Sequence, residues 1–355
     1  MPSTPPRARI LAQVRALPQA DEVWEVSTGK APTWIAPLDA PPYRPFLTLV
    51  VAAEGPILHS GITEAPASPA AVVADLVRVM HRPPPQAGPA RRPTLVTGRD
   101  LALLAALAAP LTALGIHTLY RATLLATAQA LAGLEEYLNE RPPIPGLLTL
   151  PGITPALVAH LYDLAAQFYR AHPWAWLDDA APFELRVGGD PAPRYAVVIG
   201  SMGETFGLAV YDSAADLRRA LREGARPTPG PPRNQLALIL DDPRLMTFGD
   251  LDAMDEHGWT PVNPQAYPAF IRTTARGDLG APTAGDLFWI EAALAAVLVY
   301  VRRLGPGPRG RVPPADEAIP VTTLSGERVV QLRVPSLPAP PPGRPPRARG
   351  RRRRS

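Results

Sequence analysis

The chain has 355 residues, of which 46% are hydrophobic, with 48 Pro, 27 Gly, no Cys and a formal net charge of +4. This composition excludes a collagen-like, largely disordered or disulfide-stapled chain, and the absence of Cys removes thiol catalysis and every Cys-based zinc or iron–sulfur site. Seven arginines near the end carry the positive charge, so the other 29 basic and 32 acidic residues leave the rest of the chain mildly acidic.

The first predicted domain spans residues 21–140 and follows a Pro- and Arg-rich leader at 1–20. A near-continuous apolar run at 46–51 indicates a strand buried on both faces, and the chain turns at Glu54 into a returning strand. Asp100 is placed to cap a strongly apolar helix. The predicted order of elements is β-β-β-α-β-α-β-α.

A Pro-rich stretch at 141–153 is predicted to link this domain to a second one at 154–304. Alternating and apolar runs predict strands at 183–187, 195–200, 206–211 and 236–240. Helices are predicted from Thr154 and from Asp286, which we expect to cap the last long helix. The end of the chain, 305–355, is predicted to be a Pro- and Arg-rich tail with a possible hairpin at 321–334. The fold class is therefore α/β or α+β, the second domain being mainly antiparallel with flanking helices.

Two apolar runs bear on membrane association. The run at 101–116 contains Pro110, and the run at 292–301 is shorter than the ~20 residues that cross a bilayer. We interpret both as buried helices of a cytoplasmic protein that has no membrane partner.

Four residues suggest a binding edge in the second domain. Gly200 and Gly203 lie in a Gly-rich loop whose backbone N–H groups can cradle an anion; the alternative is a plain hairpin turn, because the loop joins two strands. Trp174 and Trp176 can form an aromatic binding surface; the alternative is that they anchor a helix end in the core.

Acidic residues offer the other candidate site. Asp241 and Asp242 follow a strand, where catalytic carboxylates occur in open sheets, although helix capping and a solvated face are the alternative. Metal-assisted hydrolysis needs two or three converging carboxylates. The six His show no zinc spacing, and no motif for a cofactor is present, so we predict neither a metal nor a cofactor.

The tail carries a run of arginines without an acid among them. Such a run can contact nucleic acid without sequence specificity, with a strong salt dependence; the alternative is a solubilising tail. Its members are Arg344, Arg347, Arg349, Arg351, Arg352, Arg353 and Arg354.

The element order of the first domain, with Pro41-Pro-Tyr-Arg-Pro-Phe46 leading into its apolar strand, resembles the ribonuclease H/integrase-like core. The resemblance implies a metal-binding acid within the first strands and another after the fourth. The stretch where the first acid is expected, 50–53, reads Val-Val-Ala-Ala, which leaves Glu54 and Asp100 near suitable places. The resemblance therefore implies a catalytically degenerate domain.

Residues 23–300 also resemble uncharacterised bacterial proteins of unknown function. The likeness rests on the Tyr-Arg-Pro strand module and on a second module that runs from Pro173-Trp through Tyr195-Ala-Val-Val-Ile-Gly200 to Tyr211. It implies a shared fold and no particular activity.

The leading hypothesis is a non-enzymatic binding or accessory protein with an unknown protein partner. One alternative is a metal-dependent hydrolase or nuclease that uses Glu54 and Asp100, or Asp241 and Asp242. Another is nonspecific nucleic-acid association through the arginine tail.

Overall fold

The computed structural model describes residues 6–139, 143–177, 182–201, 203, 205–223, 234–273, 278–307 and 312–334. The chain is a mixed α/β protein that divides into two compact units, Met1–Pro143 and Ile144–Ser355.

Unit 1 follows the predicted order of elements, preceded by one more helix. Its elements are α1 (Pro6–Arg15), β1 (Gln19–Lys30), β2 (Phe46–Ala52), β3 (Ile57–Thr63), α2 (Pro69–His81), β4 (Arg92–Gly98), α3 (Leu101–Thr112), β5 (His117–Tyr120) and α4 (Leu125–Asn139). Its five-stranded sheet has the order β3-β2-β1-β4-β5. The β3-β2-β1 pairings are antiparallel, whereas β1 with β4 and β4 with β5 are parallel.

The sheet of unit 1 is covered on both faces. Trp24 and Val26 of β1 pack with α2 and α3 in the larger core. Leu47 and Leu49 of β2 point the other way and pack against α4. Because both faces are buried, β2 carries a near-continuous apolar run, as the sequence predicts.

Unit 2 contains the remaining elements. They are α5 (Pro155–Ala171), β6 (Phe183–Val187), β7 (Arg194–Ile199), β8 (Phe206–Tyr211), α6 (Ala214–Glu223), β9 (Gln235–Asp241), α7 (Phe248–His257), β10 (Tyr267–Thr273), β11 (Leu279–Gly280), α8 (Ala284–Leu304), β12 (Ala315–Thr323) and β13 (Gly326–Val334). The sheet is antiparallel throughout, with the order β11-β10-β9-β8-β7-β6-β13-β12.

The two ends of unit 2 differ from the predicted boundaries. Residues 144–153, expected to be linker, belong to this unit, and Leu147 is buried. Residues 315–334, expected to lie in the tail with a possible hairpin at 321–334, form the hairpin of β12 and β13, and β13 pairs with β6 in the sheet. Local sequence patterns could not predict that this hairpin belongs to the sheet of unit 2, because the pairing of β13 with β6 joins segments that are far apart in the chain.

Helix α8 is the central helix of unit 2. Most of its residues are buried, and it packs on α5 and on strands β6, β12 and β13. Thr283, not Asp286, is its N-cap; Asp286 completes a capping box from the third helical position. Within the described residues α8 is the one helix long and apolar enough to cross a membrane, and its burial is that of a core helix.

Candidate functional site

Glu54 and Asp100 lie at opposite ends of the unit 1 sheet. Strand β2 is antiparallel to β1, so the turn that carries Glu54 lies at the amino end of β1. Strand β4 is parallel to β1, so Asp100, just after it, lies at the carboxyl end. The registers place the two about six residues of β1 apart, which is roughly 20 Å. They cannot form a two-metal site, in which the ions are only ~4 Å apart.

β1 carries three acids, Asp21, Glu22 and Glu25, and only Glu25 is buried; the stretch 50–53, where the first acid was expected, belongs to β2 and the following turn. Glu25 is only 3% exposed. Its Oε2 accepts a hydrogen bond of 2.7 Å from the backbone N–H of Thr127, in the first turn of α4. This bond connects β1, the middle strand of the sheet, to the first turn of α4.

The sequence at the start of α4 explains why it needs this carboxylate. The carbonyl of Leu124 accepts the first bond of the helix, from Ala128, so Leu124 occupies the N-cap position. A leucine has no side-chain oxygen with which to cap a buried helix end. Glu25 supplies the missing acceptor, and its negative charge is also favourable at the positive end of the helix.

The neighbours of Glu25 are threonines rather than acids. Thr97 of β4 is opposite Glu25 in the parallel register and is fully buried. The hydroxyls of Thr97 and Thr127 are buried and have no hydrogen-bond partner among the described residues. Asp100 itself accepts a bond of 3.0 Å from the N–H of Leu103 and caps α3, as predicted. Glu25 and Asp100 thus each accept a hydrogen bond from the first turn of a helix.

Asp241 and Asp242 are adjacent at the end of β9, and each already has local partners. Asp241 accepts bonds from the hydroxyl of Thr205 at 3.2 Å and from the N–H of Asp242 at 2.7 Å. Asp242 accepts two bonds from the guanidinium of Arg244, at 2.7 and 3.1 Å, and these lower the pKa of its carboxyl. This arrangement corresponds to the capping alternative.

An aromatic cluster lies beside the β7–β8 turn. The distances between the ring centroid of Trp174 and those of its neighbours are 4.7 Å for Phe206, 4.9 Å for His172 and 5.6 Å for Tyr169. A Cβ added to Gly200 would lie 3.0 Å from Trp174 and 2.6 Å from Phe206. The structure therefore brings Trp174 and Gly200 together.

These residues offer little open surface to a ligand. Trp174 is 3% exposed and Trp176 is 6% exposed. Gly203 is exposed in the turn, with no atom within 4 Å of a Cβ built there. Burial of both tryptophan rings favours the alternative that they anchor the helix end in the core. For the Gly-rich loop, the structure shows the hairpin alternative, because the loop joins the antiparallel strands β7 and β8.

Unit 2 also contains a charge network that sequence reasoning missed. Arg194 and Arg272 both donate to Asp286, at 3.2 and 3.4 Å, and both pair with Asp212. Burial acts to raise the pKa of Asp286, but hydrogen bonds from Thr283 and the two guanidinium charges outweigh it and lower the pKa. The network ties α8 to β7, β8 and β10, elements whose proximity no local motif signals.

Unit 1 contains a groove formed by α1, α2 and the end of α3, with a volume of 1180 Å³. Val73, Val77 and Leu114 form its apolar floor, and arginines stand on its rim. We call it the α2 groove. No motif predicts it, because three helices from separate stretches of sequence build it.

The described residues contain no group of three or more His, Asp or Glu placed to hold a metal. The seven tail arginines, from Arg344 to Arg354, lie outside the described residues, and their contact with nucleic acid stays a prediction.

Comparison with known families finds one match. Residues 159–278, from within α5 to just before β11, match a family model described as a domain of unknown function (DUF7309). No curated protein matches the chain. The match agrees with the resemblance to uncharacterised proteins and assigns no activity; the resemblance of unit 1 to ribonuclease H stays a prediction.

Proposed function

We propose that this chain is a non-enzymatic binding or accessory protein of the cytoplasm, with a protein partner and a first unit that is a degenerate nuclease-like domain. The observation that carries the proposal is the bond from the N–H of Thr127 to the buried carboxylate of Glu25. The resemblance to ribonuclease H implies a metal-binding acid within the first strands, and the one buried acid of β1 accepts a bond from a helix N-terminus instead.

The chemistry of the neighbourhood supports this view. A catalytic metal is favoured by several carboxylates that converge on one point. Glu25 instead has Thr97 opposite it and a helix N-terminus above it. A neutral hydroxyl supplies no charge to balance a divalent cation. The helix end also carries a partial positive charge that disfavours a cation.

The alternative of metal-dependent hydrolysis has weaker support. Glu54 and Asp100 are at opposite ends of the sheet. Asp241 and Asp242 are bonded to Thr205 and Arg244. The contacts of Asp100, Asp241 and Asp242 support a structural role for these three acids.

Substitution of Glu25 tests the anchoring role. Glu25→Ala leaves the buried N–H of Thr127 without an acceptor, so we expect the free energy of unfolding of unit 1 to fall by about 2 kcal/mol. Glu25→Gln keeps an oxygen that can accept the bond and is expected to lose about half as much. Urea unfolding measures both variants. An unchanged or higher stability of Glu25→Ala would argue for a carboxylate kept for chemistry, because such groups often cost stability.

We also propose, from the sequence of the tail, that Arg344–Arg354 binds nucleic acid without sequence specificity. Seven positive charges without an intervening acid support this. Truncation after Pro340 is expected to abolish binding to a labelled duplex and to remove its salt dependence. Fluorescence anisotropy at two salt concentrations measures both. Undiminished binding by the truncated chain would contradict the proposal.

A further inference from the structure

We propose that the α2 groove binds an amphipathic helix of a partner protein whose apolar face is flanked by acidic side chains. This inference rests on the proposed binding function and names the chemistry of the partner. It is argued from the shape of the groove, from the charge on its rim and from the small residues along its wall.

The groove has the form of a trough in which a helix can lie. Residues of α1, α2 and the end of α3 line it, and α2 packs against both of the other helices. Ala70, Ala71 and Ala74 of α2 face the open space and are exposed to solvent. Such small side chains let a second helix approach to the 8–10 Å between axes that is typical of packed helices. Docking of an apolar helix face into such a groove is a common mode of peptide recognition.

The rim of the groove is basic. Arg15, Arg78, His81 and Arg82 line it, and no acid is among the lining residues. Asp75 pairs with Arg78 from outside the groove. Arg15 and Arg82 are exposed and have no ion-pair partner among the described residues. Two unbalanced guanidinium groups beside an apolar floor are complementary to carboxylates that flank an apolar helix face.

Two other occupants fit less well. The chain's own Arg-rich tail carries the same sign of charge as the rim, so electrostatic repulsion opposes its docking. A single lipid-like chain is normally enclosed over most of its surface, whereas the alanine wall here is open to solvent. A helix needs contact along one side only.

The test uses a fluorescein-labelled synthetic helix of about 18 residues, or five turns. It has Leu and Ala on one face and Glu on both flanks, and its twin has Lys in place of Glu. Fluorescence anisotropy with the full chain is expected to show at least tenfold tighter binding of the Glu peptide. Arg15→Glu combined with Arg82→Glu is expected to reverse this preference. Ala74→Gln places a larger, uncharged side chain in the groove and is expected to weaken binding of the Glu peptide by about tenfold.

Matched controls separate the groove from general attraction. Ala105→Gln changes an exposed alanine of α3 outside the groove, and Arg121→Glu changes an exposed arginine of unit 1 outside the groove. Both are expected to leave binding unchanged. The chain truncated after Pro340 must bind the Glu peptide as the full chain does, because the tail alone can attract acidic peptides.

Three results would overturn the inference: no saturable binding of the Glu peptide, binding that disappears with the tail, or binding indifferent to both groove variants. Direct binding of a labelled long-chain fatty acid that Ala74→Gln weakens, together with no binding of the peptide, would also overturn it and assign a lipid ligand. Hydrolytic activity of the chain would refute the proposed function while leaving the peptide result standing.

Discussion

Replacement of Gly207 by Ala is expected to lower the free energy of unfolding of unit 2 by about 4 kcal/mol or more, or to prevent it from folding. Gly207, the second residue of β8, has a φ of +153°, and a Cβ added there would lie 2.0 Å from the carbonyl oxygen of Leu238. That oxygen belongs to the backbone of the neighbouring strand β9, so it cannot move aside as a side chain would. Relief of the overlap requires that the two strands separate.

Gly203→Ala is the matched control for this prediction. Gly203 also has a positive φ, +83°, but no atom of the described residues lies within 4 Å of a Cβ built there. Its substitution therefore costs only the backbone strain, about 1 kcal/mol. Urea unfolding followed by tryptophan fluorescence suits the comparison, because four of the six Trp are in unit 2. Equal stabilities of the two variants would show that the close approach of β8 and β9 is not as described.

The second large effect is a dependence of stability on pH that originates at Asp250. Asp250 is the third residue of α7, whose N-cap is Thr247. Its Oδ1 accepts a bond of 2.7 Å from the N–H of Leu147, and its Oδ2 accepts one of 2.9 Å from the hydroxyl of Thr247. Burial raises the pKa of Asp250 to about 6, although these two bonds act to lower it. The buried hydroxyl of Tyr162, whose pKa is raised by its own burial and by the charge of Asp250, has no bond to it among the described residues.

The sign of the effect follows from the direction of this shift. Between the ordinary pKa of 3.8 and about 6, the folded chain holds a proton on Asp250 that the unfolded chain releases. Stability from this group is therefore greatest below the window, falls as pH rises through it, and levels off above pH 7. The full loss is about 3 kcal/mol, since one pKa unit corresponds to about 1.4 kcal/mol.

Asp250→Asn isolates this contribution, because Asn is neutral at every pH and retains an oxygen for the bond from Leu147. The stability of the variant relative to the wild type is expected to rise by about 2 kcal/mol between pH 4.5 and pH 7.5. Urea unfolding at several pH values measures the difference. Parallel curves for the two proteins would mean that Asp250 titrates as an ordinary surface carboxyl.

Local chemistry in the sequence predicts much of the fold. Asp100 and Thr154 cap α3 and α5 through bonds to Leu103 and Leu157. The near-continuous apolar run at 46–51 predicts a strand buried on both faces, and the structure places helices on both sides of it. These predictions are confirmed because each depends only on residues within about one helical turn or one strand.

The candidate sites depend on contacts that local patterns cannot show. Glu25 caps a helix that begins a hundred residues later, and the need for that cap is apparent only once Leu124 is known to occupy the N-cap position. The α2 groove likewise exists only after three separate helices have packed together. The resemblance to ribonuclease H implied a first acid at 50–53, on β2 and the following turn, whereas the buried acid of the sheet is Glu25, between Trp24 and Val26 of β1.

The central claim, that Glu25 holds a helix and does not serve catalysis, is tested most directly by hydrolysis. The measurement is the rate at which the purified full chain degrades labelled single- and double-stranded nucleic acid with Mg²⁺ or Mn²⁺, beside Glu25→Gln and Asp100→Ala. We expect all three proteins to match the rate without protein. Metal-dependent hydrolysis by the wild type that Glu25→Gln abolishes, with the fold preserved, would contradict the claim.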